Sequence, residues 1–206
     1  MPPDAVVIED AAVSKIPFSL TLVHYNEGDL LGHVLALCTL SPIFAVVSYV
    51  SVCVALGFPL KLVFMFVGQL GNVVVNVVLK HMVRMPRPAD KEHLVYFGKY
   101  GMPSNHSQFM AFLAVFALME NQKQLGKFRY PRALSFALLV GSLLVGWSRV
   151  YLEYHTLDQV IVGWLVGASV AVAWHLVWTQ GLGCYLEALF GKGSESSNEM
   201  DKSKMT

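Results

Sequence analysis

Five basic side chains stand out in an otherwise apolar chain, because they fall in three short polar segments at residues 80–88, 103–106 and 148–159. A cation close to hydrocarbon is energetically costly and normally has an anionic partner. Few acidic residues lie near these segments in the sequence, so we expect the partner to be a ligand, and phosphate is the natural candidate. The five side chains are those of Lys80, Arg87, His106, Arg149 and His155.

The first segment has two cations suited to binding phosphate. Lys80 and Arg87 lie seven residues apart, so both can share one face if a helix continues through them. Pro86 and Pro88 predict instead that the helix ends between the two cations. In both cases the planar guanidinium of Arg87 can bind two phosphate oxygens at once, and Lys80 adds a compact point charge.

The second segment reads Pro-Ser-Asn-His and opens an apolar run. Ser104 is suited to the N-cap of a helix. The first backbone N–H groups of a helix are unpaired and lie at its positive end, so they bind phosphate readily. His106 would lie in this first turn, where an imidazole can protonate a leaving oxygen. A single histidine here is more typical of a hydrogen-bonded residue at a membrane interface.

The third segment adds Arg149 and a second histidine. His155 can attack phosphorus and carry it as a phosphohistidine, which water then hydrolyses. The attacking nitrogen must be neutral, and the other ring nitrogen needs an acceptor that fixes the tautomer. Asp158 and Gln159 are the nearby candidates for that acceptor, and Glu153 is a third.

The composition is that of a multi-span membrane protein. The 206 residues are 55% hydrophobic and 14% charged, with a mean hydropathy of +0.52, which is too apolar for an ordinary soluble domain. A formal net charge of +1 does not suggest a nucleic-acid partner. Cys38, Cys53 and Cys184 are isolated in the sequence, so we expect neither a disulfide framework nor a zinc site.

The apolar runs predict an all-α, multi-span transmembrane bundle of about five helices with the active site at one membrane face, since a span needs roughly 20 residues. We expect Pro42 to kink the first span, and Gly163 and Gly167 have the spacing of a close-packing helix face. The expected spans are 33–56, 61–83, 104–120, 133–152 and 158–180. The expected domains are an N-terminal segment at 1–31 that lies at the interface, a transmembrane domain at 32–182, and a polar, disordered cytosolic tail at 183–206.

With five spans, all three polar segments fall on the same side of the membrane. The opposite side holds Lys61, the basic loop 121–132 and the lysines of the tail. An excess of Lys and Arg in short loops marks the cytosolic side. We therefore expect a lumenal or external active site and a cytosolic C-terminus. Residues 202–206 resemble a dilysine retrieval signal, which predicts residence in the endoplasmic reticulum membrane.

The three segments together resemble the signature of the type 2 phosphatidic acid phosphatase superfamily over about residues 60–180. The matching pattern is Lys80-x6-Arg87-Pro88, then Pro103-Ser104-Asn105-His106, then Ser148-Arg149-x5-His155. The resemblance implies a phosphatase that needs no metal and no cofactor, with His155 as the nucleophile and His106 as the general acid. The residues implied to hold the phosphoryl oxygens are Lys80, Arg87, Ser104, Asn105, Ser148 and Arg149.

Two positions depart from the pattern of the superfamily. Asn105 stands where glycine is usual, and Asn is the residue that next best tolerates an unusual backbone geometry. Gln159 stands where an aspartate is usual, four residues after the nucleophile, and Asp158 comes one residue early. Gln159 can accept a hydrogen bond but carries no charge. The sequence therefore leaves open which of the two orients His155.

Longer runs narrow the resemblance. Residues 99–109 (KYGMPSNHSQF) and 148–160 (SRVYLEYHTLDQV) resemble those of the dolichyl diphosphatases of the endoplasmic reticulum. The implied reaction is hydrolysis of the polyprenyl lipid dolichyl diphosphate to dolichyl phosphate and phosphate, which recycles the lipid carrier of protein N-glycosylation. The alternatives are a phosphatase for phosphatidate or another lipid phosphate, which would use the same residues, and a transporter that binds phosphate without cleaving it. The oligomeric state is not predicted.

Overall fold

The protein is described here by a computed structural model that covers residues 15–18, 23–88, 100–123 and 132–189. Two short strands are followed by six α-helices, the last of which runs into a wider π-helical turn. The elements are β1 Lys15–Phe18, β2 Val23–Asn26, α1 Leu30–Cys38, α2 Ser41–Ala55, α3 Leu60–Val83, α4 Asn105–Lys123, α5 Arg132–Tyr151, α6 Leu157–Val177 and the π-helical turn Trp178–Leu182.

The predicted all-α membrane bundle is confirmed, with one difference among the spans. Among the described residues, four helical segments are long and apolar enough to cross a membrane: Leu30–Ala55, Leu60–Val83, Ala133–Tyr151 and Leu157–Leu189. The remaining predicted span is α4, which packs against α3, α5 and α6 and buries Phe112 and Phe116 almost completely. A helix enclosed by other helices does not face lipid, so it need not be uniformly apolar.

The first span consists of two helices. The chain leaves α1 at Thr39, whose hydroxyl donates to the carbonyl of Ala36 at 2.6 Å, and re-enters a helix at Ser41. Pro42 lies in the first turn of α2, where its missing N–H has no intrahelical partner to lose. The break in the span therefore comes just before the proline that was expected to kink it.

The two strands form an antiparallel hairpin in which Lys15 pairs with Asn26 and Phe18 with Val23. This hairpin lies within the segment 1–31 that was expected at the interface. Val23 is 2% exposed and belongs to a buried cluster that includes Leu152 and Tyr154. The second strand is therefore packed against the connection between α5 and α6.

Two glycines bring α6 into backbone contact with α4, as their spacing predicted. A Cβ atom at Gly163 would lie 2.6 Å from the carbonyl oxygen of Ser104, and one at Gly167 would overlap the carbonyl of Gln108. Close approach of this kind is what small residues permit between membrane helices. It fixes the start of α4 against the start of α6.

A buried amide network joins α3 to α4. The Asn76 side-chain nitrogen donates to Gln108 Oε1 at 2.7 Å and to the carbonyl of Pro103 at 3.2 Å. Gln108 Nε2 in turn donates to both oxygens of Asn72, each at 2.8 Å. Buried polar groups need such partners, so this network sets the position of Lys80, one turn beyond Asn76, relative to the start of α4.

The last helix is longer than predicted. Its π-helical turn contains Gly181 with a φ of +131°, a conformation that favours glycine. Beyond this turn the chain is helical as far as Leu189, whereas the span was expected to end at 180 and the tail to begin at 183. Residues 190–206, which include most of the expected tail, lie outside the described residues.

Candidate active site

The candidate site lies where α3 ends, α4 begins and α5 turns into α6. The turn after α5 is tight, since the backbone N–H groups of Tyr154 and His155 both donate to the carbonyl of Arg149 at 3.0 Å. Glu153, within this turn, has a φ of +59°. The turn thereby places His155 directly beside the end of α5.

The His155 ring is 3% exposed and is held at both nitrogens. Nε2 lies 3.2 Å from Nη1 of Arg87, and Nδ1 lies 3.0 Å from Oε1 of Gln159. The Gln159 amide nitrogen donates to the carbonyl of Pro86 at 2.8 Å, so the amide oxygen faces the ring as an acceptor. Nδ1 therefore carries the proton, and the lone pair of Nε2 faces Arg87.

The surroundings of His155 favour the neutral imidazole. Burial lowers its pKa well below the ordinary value for histidine, and the charges of Arg149, Arg87 and Lys80 lower it further. The hydrogen bond with Gln159 acts in the opposite direction but does not outweigh them. A nitrogen must be unprotonated to act as a nucleophile, and this environment favours that form of His155.

Three fixed cations surround this imidazole. Lys80 Nζ donates to the carbonyl of Tyr100 at 3.0 Å, and Arg87 Nη1 donates to the carbonyl of Tyr154 at 3.1 Å. The guanidinium of Arg149 is 2% exposed, and its Nε and Nη1 have no hydrogen-bond partner among the described residues. These two N–H groups are positioned to donate to the oxygens of an anion.

The second segment forms the start of α4 beside these cations. Ser104 is fully buried, its N–H donates to the carbonyl of Gln159, and its own carbonyl accepts from Gln108, both at 3.0 Å. The half-buried His106 ring is hydrogen-bonded to the backbone of Thr39 at the break in the first span, and it lies in the field of the three cations. A second imidazole therefore stands close to the anion site.

The arrangement is suited to chemistry at an anionic phosphorus centre. It combines a neutral imidazole of fixed tautomer, three cations and the unpaired N–H groups of a helix start, all preorganised before any ligand binds. No group of three or more His, Cys, Asp or Glu side chains able to hold a metal ion occurs within the described ranges.

Comparison with known proteins connects this geometry to a family. Residues 59–181, which contain all three polar segments, match the PAP2 superfamily. Dolichyldiphosphatase 1 of Mus musculus is 40% identical over 171 residues, covering 78% of this chain and 71% of the relative. The chain belongs to the PAP2 superfamily, among the dolichyldiphosphatases. The family predicted from the three motifs is therefore confirmed.

Further relatives in this family are similarly close. Dolichyldiphosphatase 1 of Homo sapiens is 39% identical over 170 residues, covering 78% of this chain and 70% of the relative. The dolichyldiphosphatase of Saccharomyces cerevisiae is 39% identical over 163 residues, covering 74% of this chain and 66% of the relative. The crystal structure of a transmembrane PAP2-type phosphatidylglycerolphosphate phosphatase from Bacillus subtilis has the same fold, with a TM-score of 0.60 at 23% identity over 74% of this chain and 78% of that chain.

In this PAP2 site, most residues predicted from the motifs come together. Two residues are exceptions. Asn105 is the exposed first residue of α4. Ser148 is buried, and its hydroxyl donates to the carbonyl of Val145 in its own helix at 2.7 Å. The predicted residues that the fold brings to one place are Lys80, Arg87, Ser104, His106, Arg149, His155 and Gln159.

The structure separates the two candidates for orienting His155. Gln159 is fully buried and contacts Nδ1 of the ring. Asp158 is exposed and faces away from the ring. Successive residues of a helix point about 100° apart, so only one of two neighbours can face the histidine.

Two contributors to the site were missed by sequence reasoning. Tyr154 contacts both arginines, and its position immediately before His155 was a signal that could have been used. Thr39 supplies a backbone group to His106 from inside an apolar run. Nothing in the sequence distinguishes Thr39 from other small polar residues of membrane helices.

Proposed function

We propose that this protein is an integral membrane phosphatase that hydrolyses dolichyl diphosphate to dolichyl phosphate and inorganic phosphate. The observation that carries the proposal is the His155 ring, with Nδ1 against Gln159 and Nε2 beside Arg87, inside a cluster of three cations. The names of the relatives supply the substrate class. A site at the ends of the helices would let the diphosphate enter from the interface while the polyprenyl chain stays in lipid.

In the first step, Lys80, Arg87 and Arg149 would hold the oxygens of the terminal phosphate. His155 Nε2 attacks the terminal phosphorus, and the bond from that phosphorus to the bridging oxygen breaks. The products are a phosphohistidine and dolichyl phosphate. His106, protonated while the bound diphosphate offsets the charge of the three cations, gives its proton to the departing oxygen. The fixed cations stabilise the negative charge that develops as this bond stretches.

In the second step, water attacks the phosphohistidine. His106, now neutral, accepts a proton from this water, and the bond between phosphorus and Nε2 breaks to release inorganic phosphate. Both histidines return to their starting protonation states. The helix start at Asn105 would contribute backbone N–H groups to the phosphoryl oxygens in both steps.

Gln159 takes the orienting role in this proposal, in place of the aspartate usual in the superfamily. Its amide oxygen accepts from Nδ1, and its amide nitrogen is held by the carbonyl of Pro86. A neutral amide fixes the tautomer and raises the pKa of the imidazole less than a carboxylate would. Asp158, which is exposed, takes no part.

We also propose that the protein resides in the endoplasmic reticulum membrane with a lumenal site and a cytosolic C-terminus. Dolichyl phosphate would then be returned as the carrier for protein N-glycosylation. The bias of Lys and Arg toward the opposite side and the dilysine-like residues 202–206 support this orientation. Single cysteines at the exposed Asn105 and in the C-terminal tail should react with an impermeant reagent from opposite sides of sealed microsomes.

The activity is tested with purified protein in detergent and EDTA. Phosphate release from dolichyl diphosphate should exceed release from phosphatidate, and His155→Ala should serve as the inactive control. A preference for phosphatidate would favour the alternative lipid phosphatase. Dependence on added divalent metal, or equal activity of the His155→Ala protein, would contradict the mechanism.

A further inference from the structure

Tyr154 makes three different contacts with the machinery of the site. Its ring lies under the guanidinium of Arg149, 4.3 Å from the guanidinium carbon to the ring centre. Its backbone carbonyl accepts from Nη1 of Arg87 at 3.1 Å. Its hydroxyl accepts from the backbone N–H of His24 at 2.8 Å. One residue thus joins two phosphate-binding cations to the N-terminal hairpin.

These contacts matter because the two arginines repel each other. The electrostatic surroundings of Arg149 are burial, the Tyr154 side chain and the like charge of Arg87, with no carboxylate among them. A guanidinium in this position needs another source of negative potential to remain in place. The face of an aromatic ring provides negative potential without occupying the N–H groups, which lie in the plane of the guanidinium. Nε and Nη1 of Arg149 therefore stay available for phosphate.

The ring itself is fixed from the N-terminal side. Tyr154 is 2% exposed and packs in a buried cluster with Val23 of β2, with Leu35 and Ala36 of α1, and with Leu152. The hydrogen bond from the His24 backbone N–H holds the hydroxyl end of the ring in this cluster. A buried aromatic ring with a hydrogen-bonded hydroxyl has little freedom to change rotamer.

We propose that Tyr154 is a positioning residue that holds Arg149 and Arg87 in the geometry required to bind the transferred phosphate. The inference deepens the proposed function and rests on it for the identity of the lipid substrate. The inference concerns the binding of phosphate, which is measured separately from hydrolysis. The ring face acts on Arg149, and the fixed turn presents the carbonyl to Arg87.

Three variants separate the ring face from the hydroxyl. Tyr154→Leu removes both, and Tyr154→Phe removes the hydroxyl only. Tyr151→Phe is the matched control, because the Tyr151 hydroxyl donates to Asp29 of the N-terminal segment at 3.1 Å while its ring faces the surface. The dissociation constant of inorganic phosphate is measured by calorimetry in the His155→Ala background. The values of kcat and KM for dolichyl diphosphate are measured in the protein that retains His155.

Tyr154→Leu should weaken phosphate binding roughly 10- to 30-fold, the range expected for a desolvated cation–π contact, and should raise KM more than it lowers kcat. Tyr154→Phe should stay within about threefold of the parent protein and Tyr151→Phe should be unchanged. Phosphate affinity within twofold of the parent in Tyr154→Leu would overturn the inference. Equal losses in the Leu and Phe variants would also overturn it, because the hydroxyl and not the ring face would then hold the arginines.

Ring fluorination keeps the test decisive if Tyr154→Leu does not fold. Phenylalanine analogues with increasing numbers of fluorine atoms at position 154 retain the ring shape and weaken its negative face. Phosphate affinity should fall stepwise along this series, and a flat series would overturn the inference. A protein that binds phosphate with this dependence but does not hydrolyse dolichyl diphosphate would refute only the proposed function.

Discussion

The two ends of the helical bundle surround their partly or fully buried cations with different partners. At one end, Lys61 at the start of α3 pairs with Glu120 near the end of α4, whose side chain is 2% exposed. At the other end, Lys80, Arg87 and Arg149 lie close together and contact backbone carbonyls and an aromatic ring. Within the described ranges, the electrostatic neighbours of Arg149 are Tyr154 and Arg87, with no carboxylate among them.

This difference separates a structural charge from a functional one. The Lys61–Glu120 pair is neutral as a unit and has no electrostatic need for a ligand. In the cation cluster, Nε and Nη1 of Arg149 have no hydrogen-bond partner within the described part of the chain, so an anion can bind there and lower the energy of the site. The following predictions test this contrast, in order of decreasing effect on activity.

His155→Ala should cause the largest loss, a fall in kcat of about 10⁴-fold or more, since removing a covalent nucleophile has effects of that order. Inorganic phosphate should still bind, because the three cations remain. The measurements are single-turnover hydrolysis and phosphate calorimetry on the same preparation. Trapped radiolabel on a residue other than 155 in the parent protein would refute the nucleophile assignment.

Arg149→Leu should lower kcat/KM roughly 10²- to 10³-fold, as expected for removing a preorganised donor to the transition state. It should not lower the melting temperature, because it removes an uncompensated buried cation. Arg84→Leu is the matched control, since Arg84 is exposed and its Nε donates to the carbonyl of His81 at 2.9 Å. Comparable losses in both variants would mean that general charge, and not the cluster, determines activity.

Gln159→Glu should move the acid limb of the kcat/KM profile to higher pH by about one unit or more. The burial and the arginines that lower the pKa of His155 would then be opposed by a negative charge next to Nδ1. The raised pKa keeps the imidazole protonated, and unable to attack, up to a higher pH. Asp158→Asn is the control and should leave the profile in place; a shift in that variant instead would reassign the orienting role.

Lys61→Met should have the smallest effect on activity, with kcat/KM within about threefold of the parent protein. It should nevertheless lower the free energy of unfolding by about 2 kcal/mol, because it leaves the Glu120 carboxylate buried without its partner. The double variant Lys61→Met, Glu120→Gln should recover most of this loss. Thermal melting in detergent gives the comparison. A loss of phosphate affinity in Lys61→Met would show that the two ends are not independent.

Much of the site could be predicted from the sequence, because its motifs combine residue type with position relative to the membrane. Lys80, Arg87 and Arg149 each stand at the end of an apolar run, and the two histidines occur in the same positions, so their convergence on one face followed from counting spans. The close-packing glycines were readable for a similar reason: a spacing of four residues puts Gly163 and Gly167 on one helix face.

Other features depend on three-dimensional packing. The central place of α4 could not be deduced from its composition, which is only that of a less apolar helix. The break at Thr39 could not be located, since the polar side chain that forms it is common in membrane helices. Tyr154 looked like any aromatic residue near an interface until the fold placed its ring under Arg149.

The amino-acid sequence alone determined the family, through its three motifs, and the membrane bundle, through hydrophobic length; its assignment of the reacting groups stays a prediction. Only the tertiary structure decided between Asp158 and Gln159 and revealed the contacts of Tyr154. Such decisions depend on the rotation of a helix by one residue, about 100°, and on where distant backbone carbonyls lie. Those positions are set by packing among helices and are not encoded in any local pattern.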